Sequence, residues 1–215
     1  HDSTWKPVYG ERSEIRDRYN ELTVELTRDG AFPLTLALRC YDEGVAIRTT
    51  IGGGGHTAIP RELTDFRFPG DPVTWITNAP QGTYRKTTLA KADGVIEAPM
   101  TLAPAEDLFV AIAEAGLIDS APMKLARAKD DPHRIGITLK GPVEATLPFS
   151  TPWRVIRIAE NPGKLLEGND IILNLSEPCR IADTSWIRPG KVLREVTLTT
   201  TGAIAAVDCA VKNRL

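Results

Sequence analysis

LTLALRCYDEGVAIRTTI, residues Leu34 to Ile51, reads as two strands joined by a tight turn. From Leu34 to Tyr41 the side chains alternate, so an extended chain presents one apolar face. Asp42-Glu43-Gly44 turns the chain, and Val45 to Ile51 returns β-branched residues, which makes a hairpin. The pattern recurs on both sides. Glu21 to Thr27 places Leu22, Val24 and Leu26 on one face, and Leu63 to Phe68 places Leu63, Phe66 and Phe68 near a core. Val73–Thr77, Leu108–Ala113, His133–Lys140, Val143–Leu147, Arg154–Ile158 and Asp170–Leu175 read as further strands, each bounded by Gly, Pro, Asn or Asp. Roughly ten short strands with turn signals every ~8–12 residues predict a mainly β, antiparallel sandwich.

The end of the chain reads differently. Pro189-Gly190 opens an apolar, β-branched run from Val192 to Leu198. Ile204, Val207, Val211 and Leu215 then recur at helical spacing, with Thr199–Thr201 able to cap the start and Lys212 and Arg214 in the last turn. A strand and a helix with no second strand imply a unit of something larger. Trp5, with no strand before it to shelter it, either packs on the strands that follow or belongs with upstream strands that are missing. Pro80 to Met100 is polar and broken by Gly82, Gly94 and prolines, so it reads as a long loop or an edge excursion.

The 215 residues are 42% hydrophobic and 25% charged, ordinary for a globular chain that buries a core without staples. The net charge of −2, with acids and bases interspersed, argues against nucleic acid as a partner. No apolar stretch reaches the length of a membrane span, and the start lacks the pattern of a signal peptide. Cys40, Cys179 and Cys209 have no CxxC spacing and are expected to be buried thiols, with one disulfide plus a spare thiol as the alternative.

Few residues suggest chemistry. Gly52–Gly55 lacks the Lys-Ser/Thr of a phosphate loop and is expected to be a hairpin tip or interstrand loop. His1, His56 and His133 have no metal spacing, and no GxSxG is present. The mixed-charge run from Tyr9 to Glu21 is expected to be a solvated strand with cross-strand ion pairs. No two acids show the arrangement a glycosidase needs. Glu114, at the end of the apolar run Leu108–Ala113 and before Gly116, is either a strand-end acid in solvent or a carboxylate placed to reach a neighbouring surface. Trp75, Tyr84 and Trp153 are core candidates, with sugar stacking as the alternative.

Several segments together resemble glycoside hydrolase family 97. They are Trp5–Ser13, Ile15–Glu21, Asp42–Arg48, Pro152–Ile156, Ile172–Leu175 and Asp183-Thr184-Ser185-Trp186-Ile187-Arg188-Pro189-Gly190-Lys191, in the family's order. The resemblance implies a β-super-sandwich over 1–182 with its N-terminal portion missing, a linker signature over 183–191, and over 192–215 the first unit of a truncated (β/α)8 catalytic barrel. It implies a secreted or periplasmic, calcium-dependent α-glucosidase or α-galactosidase acting on α-linked oligosaccharides, with the catalytic barrel as the missing partner. No catalytic residue carries over. One metal ligand does: Ala113-Glu114-Ala115-Gly116-Leu117-Ile118-Asp119 resembles the family segment whose glutamate leaves the sandwich to ligate a catalytic calcium. The rest of the shell would lie outside this chain. Val192–Leu198 departs from the Trp-rich segment that often follows the signature, which leaves substrate choice open and Arg194 and Glu195 unassigned, an ion pair being expected. A non-catalytic carbohydrate-binding or structural sandwich module is the alternative reading.

Overall fold

The structure, a computed structural model, describes residues 1–8 and 10–215; Tyr9 of the charged run lies outside the described residues. The chain divides into two units, one of His1–Trp5 and Arg16–Glu177, the other of Lys6–Ile15 and Pro178–Leu215. In chain order the strands are β1 (Asp2–Trp5), β2 (Ile15–Arg18), β3 (Asn20–Leu26), β4 (Leu34–Tyr41), β5 (Gly44–Ile59), β6 (Asp65–Arg67), β7 (Val73–Ile76) and β8 (Arg85–Thr88). They continue with β9 (Ile96–Glu97), β10 (Met100–Ala105), β11 (Leu108–Ala115), β12 (Met123–Arg127), β13 (Arg134–Leu139), β14 (Val143–Ser150) and β15 (Trp153–Ala159). Three helices follow: α1 (Pro162–Glu167), α2 (Asp170–Asn174) and α3 (Thr200–Asn213).

The first unit is the expected antiparallel sandwich. A nine-stranded sheet runs β3-β4-β5-β15-β11-β10-β7-β8, with β14 also on β5, and a four-stranded sheet runs β6-β13-β12-β9. Alternation along the strands supplies the layer between them. Ile76, Met100, Leu102 and Ile112 from the large sheet meet Phe66, Ile96, Met123, Leu125, Ile135 and Ile137 from the small one. The large sheet buries its other face as well. Tyr41, Ala46, Ala113, Ala115, Trp153 and Val155 lie with Ile171 and Leu175 of the α2 segment. Central strand β11 is thus covered on both sides, which is why LFVAIAEA is a near-continuous apolar run. The hairpin of β4 and β5 forms as read, paired from Leu34↔Ile51 to Tyr41↔Gly44. Gly44 is required there: a Cβ would collide with the backbone carbonyl of Ile156 on β15.

Several expectations are corrected. Asp170–Leu175 is not a strand but α2: Ile171 and Leu175, four apart, both face the core, while Leu173 is exposed. α1 before it starts with Pro162, capped by the Asn161 side chain accepting from the Lys164 amide at 2.9 Å. Gly52–Gly55 lies inside β5 rather than at a hairpin tip. Positive φ at Gly53 and Gly55 bends the strand, so β14 pairs with it on either side, at Thr50–Ile51 and Gly55–Ile59. Pro80–Met100 contributes β8, β9 and the buried Leu89, Ala92 and Ile96, so it is part of the core. Leu63 is exposed, whereas Phe66 is buried. All three cysteines are free and exposed, not buried.

At the chain start β1 pairs with β2, and Trp5 at the end of β1 is hydrogen-bonded to α2. Its Nε1–H donates to Asn174 Oδ1 at 2.8 Å, and Asn174 Nδ2 donates to the Arg16 carbonyl at 2.9 Å. Of the charged run, residues 15–18 and 20–21 lie in strands whereas residues 10–14 do not, and Arg16 on β2 is bidentate to Asp2 on β1 at 2.9 and 2.7 Å. In the second unit, α3 forms with the Thr199 hydroxyl accepting from the Gly202 amide at 3.1 Å. Ile204, Val207 and Val211 on α3 are exposed. Val192–Leu198 carries no strand and has no ladder partner among the described residues. Glu195 accepts from the Thr197 and Leu198 amides and the Thr197 hydroxyl instead of pairing with Arg194. The Thr197 hydroxyl bond holds its carboxyl below the usual range.

Two predictions follow from the packing. Leu125→Ala, at the centre of the sandwich, lowers stability by about 2–5 kcal/mol, while Leu22→Ala on exposed edge strand β3 changes it by less than about 0.5 kcal/mol, read by urea unfolding. Asp17 tests the electrostatics. Burial raises its carboxyl pKa against the pull of Arg39, and Tyr41 and the His1 ring face the same group. An acid whose pKa rises on folding destabilises the native state above that pKa and not below its unfolded value. Asp17→Asn therefore raises the thermal midpoint near neutral pH, and the gain fades as pH falls towards about 3.

Candidate functional site

Glu114 is the one residue for which sequence suggested chemistry, and its environment follows from the strand period. On β11, Val110, Ile112 and Glu114 share a face, and Ile112 lies in the core between the two sheets. Glu114 therefore points inward rather than into solvent. Across the ladder its register partner is Arg154 of β15, which shares a face with Ile156, and Ile156 packs on the same core. Two charged groups thus enter the sandwich interior side by side.

They are balanced by a third. Arg154, only 3% exposed, donates from Nε and Nη2 to the two oxygens of Glu62, at 2.9 and 2.5 Å. Its Nη1 donates to Glu114 Oε2 at 2.8 Å. The Met123 amide, at the start of β12, donates to both Glu114 oxygens at 3.1 Å. Each glutamate side chain is about 15% exposed. Glu62 lies just beyond the end of β5, so the cluster joins the two sheets and the segment after β5. Glu62 and Arg154 also line a cavity of about 460 Å³ whose other walls include Leu34, Ile51, Val143 and Phe149.

Other candidate groups do not join it. His56 Nδ1 bonds the Thr146 hydroxyl at 3.0 Å, and His133 Nδ1 contacts the Gly70 carbonyl. Trp153 is buried, with the Arg39 and Arg48 guanidinia over its ring at 4.8 and 4.4 Å, so it is core and not a sugar platform. Trp75 is half-buried beneath Lys86, and Tyr84 is exposed.

The family described as Glycosyl-hydrolase 97 N-terminal matches residues 1–178. The chain belongs to glycoside hydrolase family 97. Among curated relatives it is similar to a retaining alpha-galactosidase of Bacteroides thetaiotaomicron, 24% identical over 220 aligned residues that cover 84% of this chain and 32% of the relative. It is also similar to a probable retaining alpha-galactosidase of Streptomyces bingchenggensis, 28% identical, covering 88% of this chain and 30% of the relative. The chain spans about a third of the length of these relatives. Among solved structures, a family 97 enzyme from Pseudoalteromonas sp. strain K8 in complex with acarbose is 27% identical with a TM-score of 0.84, over 99% of this chain and 36% of that one. A beta-arabinopyranosidase, 20% identical with a TM-score of 0.66, shares the fold.

The resemblance implies calcium, with Glu114 as one ligand. Among the described residues no group of three or more His, Cys, Asp and Glu is placed to hold a metal ion. Glu114 fits as a single ligand. Among the described residues its Oε1 meets only the shared Met123 amide, which leaves a lone pair, and the formal charges of the Glu62–Arg154–Glu114 cluster sum to one negative. Reading the sequence missed Glu62 and Arg154. The usable signal was Arg154 in phase with Ile156 and Glu114 in phase with Ile112, two charges at core positions that must be paired.

Arg154→Met removes the counter-charge and leaves two carboxylates facing the sandwich interior. The expected loss is about 3–5 kcal/mol by denaturant unfolding, whereas Arg48→Met, at a more accessible guanidinium, costs less than about half of that.

Proposed function

We propose that this chain is the sandwich domain of an α-glycoside hydrolase that cleaves α-linked oligosaccharides outside the cytoplasm, with α-galactosides as the first substrates to test and α-glucosides second. The observation that carries the reading is the family match over residues 1–178 together with a fold alignment over nearly the whole chain to an acarbose-bound family member. The names of the curated relatives favour galactosides and retention of configuration.

In this reading the bond-cleaving carboxylates come from further chain. Glu62 and Glu114 do not serve as the acid pair, because the Arg154 guanidinium sits between them. The sandwich supplies a rigid frame and one hard oxygen ligand, Glu114 Oε1, to a calcium whose other ligands lie elsewhere. The chemistry such an ion supplies when bound is polarisation of a sugar oxygen. The Glu114 carboxylate is fixed by the Met123 amide and Arg154, so no rearrangement is needed to present it.

The test uses residues 1–215 beside the full-length gene product. The shorter chain is expected to release no phenol from aryl α-galactosides or α-glucosides, and to bind calcium weakly, because one carboxylate cannot fill a shell of ~6–8 oxygens. The full-length product is expected to hydrolyse one of the two substrates and to lose activity to a chelator. Turnover by residues 1–215, or chelator-insensitive turnover by the full-length product, contradicts the reading.

A further inference from the structure

We propose that Glu62 and Arg154 are a positioning pair that holds the Glu114 carboxylate oriented and short of neutralisation, so that it acts as a ligand for a divalent cation. The inference rests on the reading of Glu114 as a calcium ligand.

The guanidinium has two binding edges, and the cluster uses them unequally. Glu62 takes the Nε/Nη2 edge with two bonds, whereas Glu114 receives one bond from Nη1 on a single oxygen. Arg154 is fully enclosed and lies on a central strand, so it is not free to turn away from either partner. Without Glu62 the Arg154–Glu114 pair would be formally neutral. A cation would then meet a compensated carboxylate beside a fixed positive charge. Glu62 prevents this by occupying the bidentate edge and returning one negative charge to the cluster.

The placement of Glu62 supports that role. It lies outside the strand ladders, in the segment between β5 and β6, and its carboxylate accepts two hydrogen bonds from Arg154. It lines a cavity whose walls are mainly apolar, where a carboxylate without a specific partner would be costly. The Met123 amide fixes the far side of Glu114, so the carboxylate is held from the facing sheet and from its own sheet at once. Groups that orient metal ligands in this way commonly change affinity ~10–100-fold when removed.

Calorimetric calcium titration of the metal-stripped full-length protein tests the pair, using wild type, Glu114→Gln, Glu62→Gln and Glu62→Asp. Glu114→Gln is expected to abolish binding at the site. Glu62→Gln is expected to weaken it ~10–100-fold, and Glu62→Asp, which keeps the charge, to recover most of that loss. Thermal midpoints in excess calcium and in chelator extend the test to variants that are marginally folded without metal. The calcium-induced rise shrinks in Glu62→Gln if the pair positions Glu114. Wild-type calcium affinity and an unchanged calcium-induced rise in Glu62→Gln would mean that the pair is only structural, and would overturn the inference while leaving the role of Glu114 intact. Wild-type affinity in Glu114→Gln, or no calcium binding by wild type, overturns the reading of Glu114 and this inference with it.

Discussion

A guanidinium withdrawn from water must find its counter-charges before the surfaces around it can close, and in this sandwich that group is Arg154. It stands on β15, next to central strand β11, at the layer where the two sheets face each other. Two carboxylates and one backbone amide complete the cluster, each from a different part of the fold. Hydrophobic burial supplies most of the driving force for the sandwich. The ion cluster adds direction, because the register Glu114↔Arg154 sets the two charges directly opposite each other on the same face of the sheet. A slip of one residue would place them on opposite faces and leave each unpaired.

The opposite face of the same two strands is apolar. Ala113, Ala115, Trp153 and Val155 meet the α2 segment there, and Arg39 and Arg48 lie over the Trp153 ring. The small residues on β11 leave room for Trp153 beside them. One pair of strands therefore carries a charged cluster inward and an aromatic anchor outward, and the position of Glu114 is set from both sides.

Much of this was legible in the sequence where one period ruled. The β4–β5 hairpin, β11 and α3 each follow an unbroken pattern of spacing 2 or 3.6. Asp170–Leu175 was misread because six apolar-rich residues satisfy both periods; the deciding contact, Ile171 with the face holding Trp153, is tertiary. Pro80–Met100 was misread because its buried residues, Leu89, Ala92 and Ile96, are too sparse for a periodic signal and are placed by the sheets around them. The glycines of β5 look like a loop locally, yet β14 pairs along both sides of them. For the site, the resemblance to the family singled out Glu114 but not its partners. Glu62 is 52 residues away in sequence and Arg154 is 40, and only the closed sheets bring them together.

The account turns on Glu114 keeping Arg154 as its neighbour while it offers an oxygen to a metal. A crystal structure of the full-length protein grown with calcium tests this most directly. The account predicts a calcium ion ~2.3–2.6 Å from a Glu114 oxygen, with Arg154 still bonded to Glu114 and bidentate to Glu62. A calcium shell that excludes Glu114, or a Glu114 that binds calcium only after parting from Arg154, would contradict it.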